Sequence, residues 1–187
     1  MTLKKSSTLL LLLLYVLLVV IPIITVGQWL LIESTLVNKF VSKIGLFNPI
    51  ITPDGVVDIA THTLTLTTRL IGLVGSMIGV LPLFLGLWIL TKIFKRYRKN
   101  QVFTLKNSYS YKLLGYVFVF DSLIAKPLSG LLLVLCATLS NPPGHRYILI
   151  TYSFPNIEAL FSGFIIILIA KVMLIGHQLQ EEQNSVI

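Results

Sequence analysis

The chain of 187 residues carries little charge for its length: 12% of the residues are Asp, Glu, Lys or Arg, whereas 55% are hydrophobic. About a quarter of the residues of a soluble domain are charged, so this composition argues against a water-soluble fold and indicates lipid as the solvent. The net charge is +8, from 15 basic and 7 acidic residues. A basic excess can indicate nucleic-acid binding, but the placement of the charges decides between partners.

The first apolar segment, residues 8–32, contains no charge and is long enough to cross a bilayer. A hydrocarbon core of about 30 Å takes about 20 helical residues. Lys4 and Lys5 precede the segment, so a cleaved signal peptide is the alternative to a retained helix. The apolar run from Leu9 to Val26 exceeds an ordinary signal-peptide core, which favours retention.

Three more apolar segments follow, at residues 70–94, 113–139 and 147–170. The sequence therefore predicts an all-α integral membrane protein, a four-transmembrane-helix bundle that forms a single domain over residues 1–187. The lipid bilayer is its expected environment, because a spanning helix satisfies its own backbone hydrogen bonds.

The stretch from Lys92 to Lys112, where the second helix ends and the third begins, contains seven cations and no acid. Membrane topology and anionic lipid headgroups explain this cluster more simply than nucleic acid, so we expect no direct nucleic-acid contact. Positive segments stay in the cytoplasm, and each crossing changes side. Cytoplasmic segments are thus predicted at residues 1–7, 95–112 and 171–187, and extracytoplasmic segments at 33–69 and 140–146. The cations are Lys92, Lys95, Arg96, Arg98, Lys99, Lys106 and Lys112.

The predicted extracytoplasmic loop of about 35 residues has features of its own. Apolar residues from Ile32 to Ile44 recur at helical spacing and predict an amphipathic helix on the outer leaflet. Residues 52–55, Thr-Pro-Asp-Gly, predict a turn, since Pro presets the bend and Gly ends it. The alternation from Thr61 to Thr67 fits either a short strand or the lead-in to the second helix.

Three ionisable residues lie inside predicted crossings: Asp121 and Lys126 in the third and Glu158 in the fourth. Charges at this depth are costly and usually face the bundle interior, where they are paired or hydrated. Lys126 and Glu158 lie near the middle of their segments, which predicts an ion pair between antiparallel helices; Asp121 is the alternative partner of Lys126. Such residues either form an ion path or fix how two helices pack.

Small residues form a stripe along the second predicted helix. Gly75 and Gly79 make a small-xxx-small motif, which lets helix backbones approach closely. The stripe serves either packing within the subunit or self-association. Its members are Gly72, Gly75, Gly79, Pro82 and Gly86.

No pattern in the sequence indicates catalysis. It has no nucleophile elbow, phosphate-binding glycine loop or paired-cysteine metal motif. The single cysteine, Cys136, excludes an intramolecular disulfide. We therefore predict a protein that is not an enzyme, with no cofactor and no bound metal.

Three stretches of the chain resemble the signature of a bacterial membrane-protein family, domain of unknown function 2975. They are Tyr97–Thr104 followed by Leu114-Gly115, residues 141–146, and the closing pattern within residues 170–186. The family usually has a Gly before its Val-Phe pair, where this chain has Asn100-Gln101; Asn also tolerates turn conformations. The motif residues are Val102, Phe103, Thr104, Asn141, Pro142, Pro143, Gly144 and Arg146.

The resemblance covers about residues 70–187 and implies a four-helix inner-membrane protein without an established activity. Some members are encoded beside small helix-turn-helix regulators, which implies a membrane partner of a transcription factor. The residues themselves give both motifs structural roles. Thr104 is placed to cap a short helix leading into the third crossing, and two prolines after Asn141 force a tight turn.

Two functions fit the sequence. The first is a regulatory or scaffolding protein whose cytoplasmic face, residues 92–112 and 171–187, binds a soluble partner; it follows from the basic segment beside an acidic tail. The second is an oligomeric permeation or transport component, which follows from the three ionisable residues at depth. Four helices are few for an aqueous path in one subunit, so this alternative requires self-association.

Overall fold

The computed structural model describes residues 3–32, 50–52, 55–57, 64–139, 141, 144–148 and 154–185. The predicted amphipathic helix on the outer leaflet falls almost wholly outside the described residues. So do the two prolines of the predicted tight turn, Pro142 and Pro143.

Helices make up nearly all of the described part of the chain. They are α1 (Leu3–Leu30), α2 (Leu66–Tyr97), α3 (Leu105–Phe120), α4 (Lys126–Thr138) and α5 (Phe154–Ser185), and a π-helical segment, Asp121–Ala125, joins α3 to α4.

Within the residues that the structure describes, four helical stretches are long and apolar enough to cross a membrane. This confirms the predicted architecture of four long apolar helices, to which the structure adds one short hairpin, and is the composition of a multi-pass membrane protein. Large apolar side chains of α1 such as Leu12 and Ile23 are exposed, which suits a lipid solvent better than water. The stretches are Ser6–Leu30, Leu66–Tyr97, Leu105–Thr138 and Ile157–Gln183.

The third stretch begins at Leu105, well before the predicted start at residue 113. Its first turns are polar. The prediction follows the run of apolar residues, which covers only the part of a helix that lies in the hydrocarbon core. Thr104 sets the helix start, because its side chain accepts a hydrogen bond from the backbone N–H of Asn107.

Helix α5, which contains the fourth stretch, begins later than the sequence predicts, at Phe154 instead of residue 147. Tyr147 and Ile148 are not helical. The backbone N–H of Tyr147 donates to Thr138 Oγ1 at 3.2 Å, which ties this part of the chain to the end of α4. Pro155 occupies the first turn of α5, where a missing N–H costs nothing.

The π-helical segment at Asp121–Ala125 has a local cause. Pro127 lacks a backbone N–H, and its ring clashes with the carbonyl of Leu123 in a regular α-helix. A wider turn just before the proline relieves that clash, as π-bulges do elsewhere. The apolar run over residues 113–139 predicts an uninterrupted helix here, and Pro127 is the signal in the sequence for the interruption.

A short hairpin lies between α1 and α2. Strands β1 (Ile50–Thr52) and β2 (Gly55–Val57) pair antiparallel, with Thr52 opposite Gly55. The chain therefore reverses where the sequence predicts a turn, and Gly55 has a φ of 127°, which favours glycine. β1 packs against α4.

The alternation from Thr61 to Thr67 fits either a short strand or the lead-in to the second helix. For Thr65 and the residues that follow it, the structure shows the helix lead-in. Helix α2 begins at Leu66. Thr65 Oγ1 accepts from the backbone N–H of Thr68 at 3.4 Å, which is the geometry of a helix N-cap.

The described chain groups into two compact units. Unit 1 comprises Met1–Val20, Pro82–Leu123 and Ser153–Ile187; unit 2 comprises Ile21–Leu81 and Ile124–Tyr152. Three of the boundaries fall inside helical segments: close to Pro22, at Pro82, and within the π-helical segment.

Unit 1 is built on close packing of α3 against α5. The Ser108 hydroxyl donates to the Ala170 carbonyl at 2.8 Å. A Cβ added at Gly115 would lie 2.8 Å from the Gly163 carbonyl oxygen, so the two backbones touch there. These pairs define an antiparallel register held by small residues, the usual means of helix association in lipid. The sequence analysis missed Gly163 as a packing position.

Unit 2 packs around Trp29, which is 3% exposed. Its indole N–H donates to the Ser76 hydroxyl at 2.9 Å, and its ring lies directly over Gly72, where any Cβ would collide with it. Gly75 and Gly79 receive Leu132 and Ser129 of α4. This face of α2 is thus covered within the chain. Gly86 belongs to unit 1, and a Cβ added there would lie 3.5 Å from Leu114 Cδ1, an ordinary van der Waals contact.

Candidate functional site

Seven basic residues of unit 1 lie where α2 ends and α3 begins. We call this region the basic end, and it consists of Lys92, Lys95, Arg96, Arg98, Lys99, Lys106 and Lys112. The sequence analysis treated the segment as a loop between two helices. In the structure the connection is short, residues 98–104, and carries only Arg98 and Lys99; the other five cations lie on the two helices that it joins.

Helix α2 terminates in a Schellman motif. The N–H of Gln101 donates to the Arg96 carbonyl at 3.1 Å, and the N–H of Asn100 donates to the Tyr97 carbonyl at 3.0 Å. Asn100 has a φ of 57°, in the left-handed region. Asn is the commonest substitute for glycine there, so the Asn in place of the usual glycine keeps the turn.

Asn107 fixes the connection from inside and is fully buried. Its amide nitrogen donates to the carbonyls of Gln101 and Val102, at 2.8 and 2.7 Å. Its backbone N–H donates to Thr104 Oγ1 at 3.2 Å. Thr104 is therefore the predicted cap, although the helix it caps is the third apolar helix itself. Sequence analysis missed Asn107; a polar residue three positions after a cap threonine was the available signal.

Arg96 ties the end of α2 to the start of α3. Its Nη1 donates to the Lys106 carbonyl, Asn107 Oδ1 and Ser110 Oγ, at 3.1, 3.0 and 2.9 Å. All three acceptors are neutral, so the guanidinium is held in place while its charge is left to act on its surroundings.

A second bond joins the same two helices one step deeper. The hydroxyls of Tyr97 and Tyr111 lie 2.9 Å apart. Beneath them is the apolar core of unit 1, formed by Ile89, Ile93 and Leu114. The connection is therefore anchored on buried side chains and is not a free loop.

Phe103 joins the connection to α5. A Cβ added at Gly176 would lie 2.8 Å from the Phe103 ring, so the ring rests against the helix backbone there. Phe103 is still partly exposed. The family-like Val-Phe-Thr step thus has a structural role: Phe103 contacts α5, the Val102 carbonyl holds Asn107, and Thr104 caps α3.

A cavity of about 570 Å³ opens beside this connection. Four cations line it: Lys92, Arg96, Lys106 and Lys112. The rest of its described lining is apolar or hydroxyl-bearing, with no carboxylate. The cavity is therefore basic and partly apolar, an arrangement suited to an anion that carries an apolar part.

Three lysines of unit 1 lie over aromatic rings. Lys92 Nζ lies 3.2 Å from the centre of the Trp88 ring, Lys95 Nζ 5.4 Å from that of Tyr15, and Lys112 Nζ 5.9 Å from that of Tyr116. Aromatic residues and long cations are enriched at the membrane–water interface. The basic end has the composition of such an interface.

The other charged feature of unit 1 is the end of α5. Glu181 and Glu182 are exposed, and Glu181 lies 3.4 Å from the imidazole of His177. The helix runs on to Ser185, as the predicted extension beyond the apolar segment requires.

The ionisable residues inside the helices are placed differently. Asp121 begins the π-helical segment and is partly buried, whereas Lys126 and Glu158 are exposed on the helix surfaces. The antiparallel register of α3 against α5, continued from the Ser108–Ala170 and Gly115–Gly163 pairs, places Glu158 level with Phe120. Lys126 belongs to unit 2 and Glu158 to unit 1, so the ion pair between them stays a prediction.

The turn after α4 is held by its own side chains. Asn141 Nδ2 donates to the His145 carbonyl at 3.1 Å, and Arg146 Nε donates to the Asn141 carbonyl at 2.8 Å. Gly144 has a φ of 100°, a conformation that glycine adopts without strain. The described residues of this second family-like motif thus have a structural role.

Comparison with known proteins gives one match. A family model described as protein of unknown function, DUF2975, matches residues 45–187. No curated protein and no solved structure matches the chain.

Proposed function

Because the chain belongs to DUF2975, a family of proteins of unknown function, membership supplies no activity, and we propose from its residues that it holds a soluble protein at a membrane surface. In this proposal it is a bacterial inner-membrane protein with both termini in the cytoplasm. Within its basic end, the connection that carries Arg98 and Lys99 is the docking face for the soluble partner.

One observation carries the proposal: exposed cations are displayed on a connection that the chain holds fixed. Arg98 and Lys99 are exposed, while the backbone around them is held by Arg96, Asn100 and Asn107. A preorganised charged surface loses little conformational entropy on binding. Its charge also speeds the encounter with an oppositely charged protein.

The partner that fits is a soluble protein with an acidic surface. The family resemblance supplies a small helix-turn-helix regulator as the candidate. The acidic end of α5, Glu181 and Glu182, lies on the same unit and repels an acidic surface, so the partner that fits also carries a basic patch opposite these two residues.

The partner is tested by purifying the tagged protein from its native membrane in mild detergent and measuring stoichiometry by mass spectrometry. We expect one soluble acidic protein in near-equal amount, reduced about tenfold or more by Arg98→Glu with Lys99→Glu, since close charge pairs across interfaces couple strongly. The matched control is Lys95→Glu with Lys171→Glu, two exposed cations outside the connection. Equal loss in both variants, or no partner, contradicts the proposal.

The orientation is tested separately with reporter fusions. Green fluorescent protein after residue 187 should fluoresce, and alkaline phosphatase after residue 144 should be active, because a positive segment keeps its side of the membrane in the cytoplasm. The reverse pattern would place the basic end outside and remove the docking face from soluble cytoplasmic proteins.

Asp121 favours a second candidate function, an oligomeric permeation path for ions or small solutes. Its carboxylate oxygen Oδ1 is buried, and it begins the π-helical segment. Such turns occur often at functional sites, and carboxylates at membrane depth mark ion paths. Vesicles containing the protein and a pH-sensitive dye test this: Asp121→Asn should abolish any proton or cation flux that the unmodified protein shows. Absence of flux, or flux unchanged in the variant, removes this candidate.

A further inference from the structure

The cavity beside the α2–α3 connection is basic on one side and apolar on the other. Lys92, Arg96, Lys106 and Lys112 supply the basic side, and Ile89, Leu105, Leu113 and Leu174 supply the apolar one. A volume of about 570 Å³ lies within the range of about 300–1,000 Å³ that small-molecule sites occupy.

The positive potential in the cavity has three sources. The first is the three lysine side chains, Lys92, Lys106 and Lys112. The second is the Arg96 guanidinium, whose hydrogen bonds all go to neutral acceptors and so leave its charge uncompensated. The third is the N-terminus of α3, since Leu105 and Lys106, its first residues, both line the cavity and a helix N-terminus favours an anion. Together they suit a phosphate group.

The apolar lining distinguishes a lipid from a small soluble phosphate. A free phosphate or sugar phosphate has nothing to place against Ile89, Leu113 and Leu174, whereas an acyl chain covers them. The level of the cavity agrees, because Lys92 and Lys112 line it and also lie over the rings of Trp88 and Tyr116. Aromatic side chains of this kind sit at the depth of lipid headgroups.

We propose that this cavity binds one anionic phospholipid, with the phosphate between Arg96, Lys106 and Lys112 and the start of an acyl chain along Ile89, Leu113 and Leu174. Basic pockets between membrane helices bind anionic headgroups by this chemistry. The site uses cations other than Arg98 and Lys99, so it stands or falls separately from the docking face.

The proposal is tested on the full-length protein purified in mild detergent and stripped of lipid. Dioleoylphosphatidylglycerol is added, and native mass spectrometry counts the lipid retained per protein; dioleoylphosphatidylcholine is the uncharged comparison. We expect one tightly retained anionic lipid and at least tenfold weaker retention of the zwitterionic one, because each cation near the surface attracts anionic lipid.

The variant Lys106→Gln with Lys112→Gln should weaken retention of the anionic lipid about tenfold or more. Both side chains are exposed, so the variant should fold, and circular dichroism and thermal unfolding check this. The matched control is Lys95→Gln with Lys171→Gln, which removes the same charge outside the cavity lining and should leave retention within about twofold of the unmodified protein.

Two results would overturn the proposal. Equal losses in the two variants would mean that the lipid responds to overall charge and not to the cavity. Displacement by inorganic phosphate or glycerol 3-phosphate at concentrations near that of the lipid would mean that the site takes a soluble phosphate compound instead.

Discussion

Asn107 does more at the basic end than its size suggests. One side chain donates to two carbonyls of the connection and accepts from Arg96. A buried polar group that loses its partner costs more than a hydrogen bond gains. The order of the connection thus depends on a residue that itself contacts no solvent.

Replacing Asn107 with Ala should lower the free energy of unfolding by about 2–4 kcal/mol, because two carbonyls and part of the Arg96 fork lose their partners. Reversible unfolding of the purified protein in detergent measures this. Asn107→Asp is the informative comparison: it keeps an acceptor for Arg96 but loses the amide donors. A loss below about 0.5 kcal/mol for Ala would show that water replaces the side chain.

Asn100 is a second residue with a separate test. Its φ of 57° costs most residues about 1–2 kcal/mol, whereas glycine adopts it freely. Asn100→Gly should therefore leave the free energy of unfolding within about 0.5 kcal/mol of the original, and Asn100→Ala should lower it by about 1 kcal/mol. Equal effects of the two substitutions would contradict the Schellman turn.

Helix pairing is a property of the elements, and here it rests on glycine and serine more than on large side chains. Gly115 and Gly163 bring the backbones of α3 and α5 together, and Ser108 bonds across them. In lipid, apolar surface gains little by leaving its solvent, so close backbone contact and hydrogen bonds carry association.

Gly115→Ala should lower the free energy of unfolding by about 1–3 kcal/mol, because its Cβ would approach the Gly163 carbonyl and the Ile167 side chain. Gly130→Ala is the matched control. Gly130 lies in α4 with nothing within 4 Å of an added Cβ, so this change should be neutral or stabilising by up to about 1 kcal/mol. A neutral Gly115→Ala would mean that the helices separate without loss.

How far the sequence predicted these elements depends on the kind of signal. Long apolar runs predicted the four helices, and the Thr-Pro-Asp-Gly turn fell between β1 and β2. The prediction placed helix ends wrongly where polar turns continue the helix beyond the hydrocarbon core, as at Leu105, because a run of apolar residues does not include those turns. The partners of Gly163 and Asn107 also escaped prediction, because they depend on which helices meet.

On the scale of the whole molecule, polar and small residues supply much of the order, and large apolar residues face outward. Leu12, Ile23 and Leu30 are exposed, whereas Thr68, Asn107 and Thr138 are almost fully buried. Such an arrangement is unfavourable in water and favourable in lipid. The basic end depends on the same placement of polar groups in the interior, since buried Asn107 holds Arg96 and the connection in place.

The single cysteine tests the packing of unit 2. Cys136 is completely buried, so a maleimide should label less than about a tenth of the folded protein in mild detergent within the time that fully labels it in dodecyl sulfate, because reaction requires exposure of the thiol. Lys99→Cys in a Cys136→Ala background is the control, since residue 99 is exposed. Rapid labelling of native Cys136 would contradict the packing around Trp29.

The two tryptophans of the chain report on different units. Trp29 belongs to unit 2 and is 3% exposed, with its indole bonded to Ser76. Trp88 belongs to unit 1, is 47% exposed, and has the Lys92 ammonium over its ring. Emission from an enclosed indole lies to the blue of emission from one near water. Two variants, each keeping one tryptophan, therefore give a separate fluorescence signal for each unit, and their melting curves coincide only if the chain unfolds in a single cooperative step.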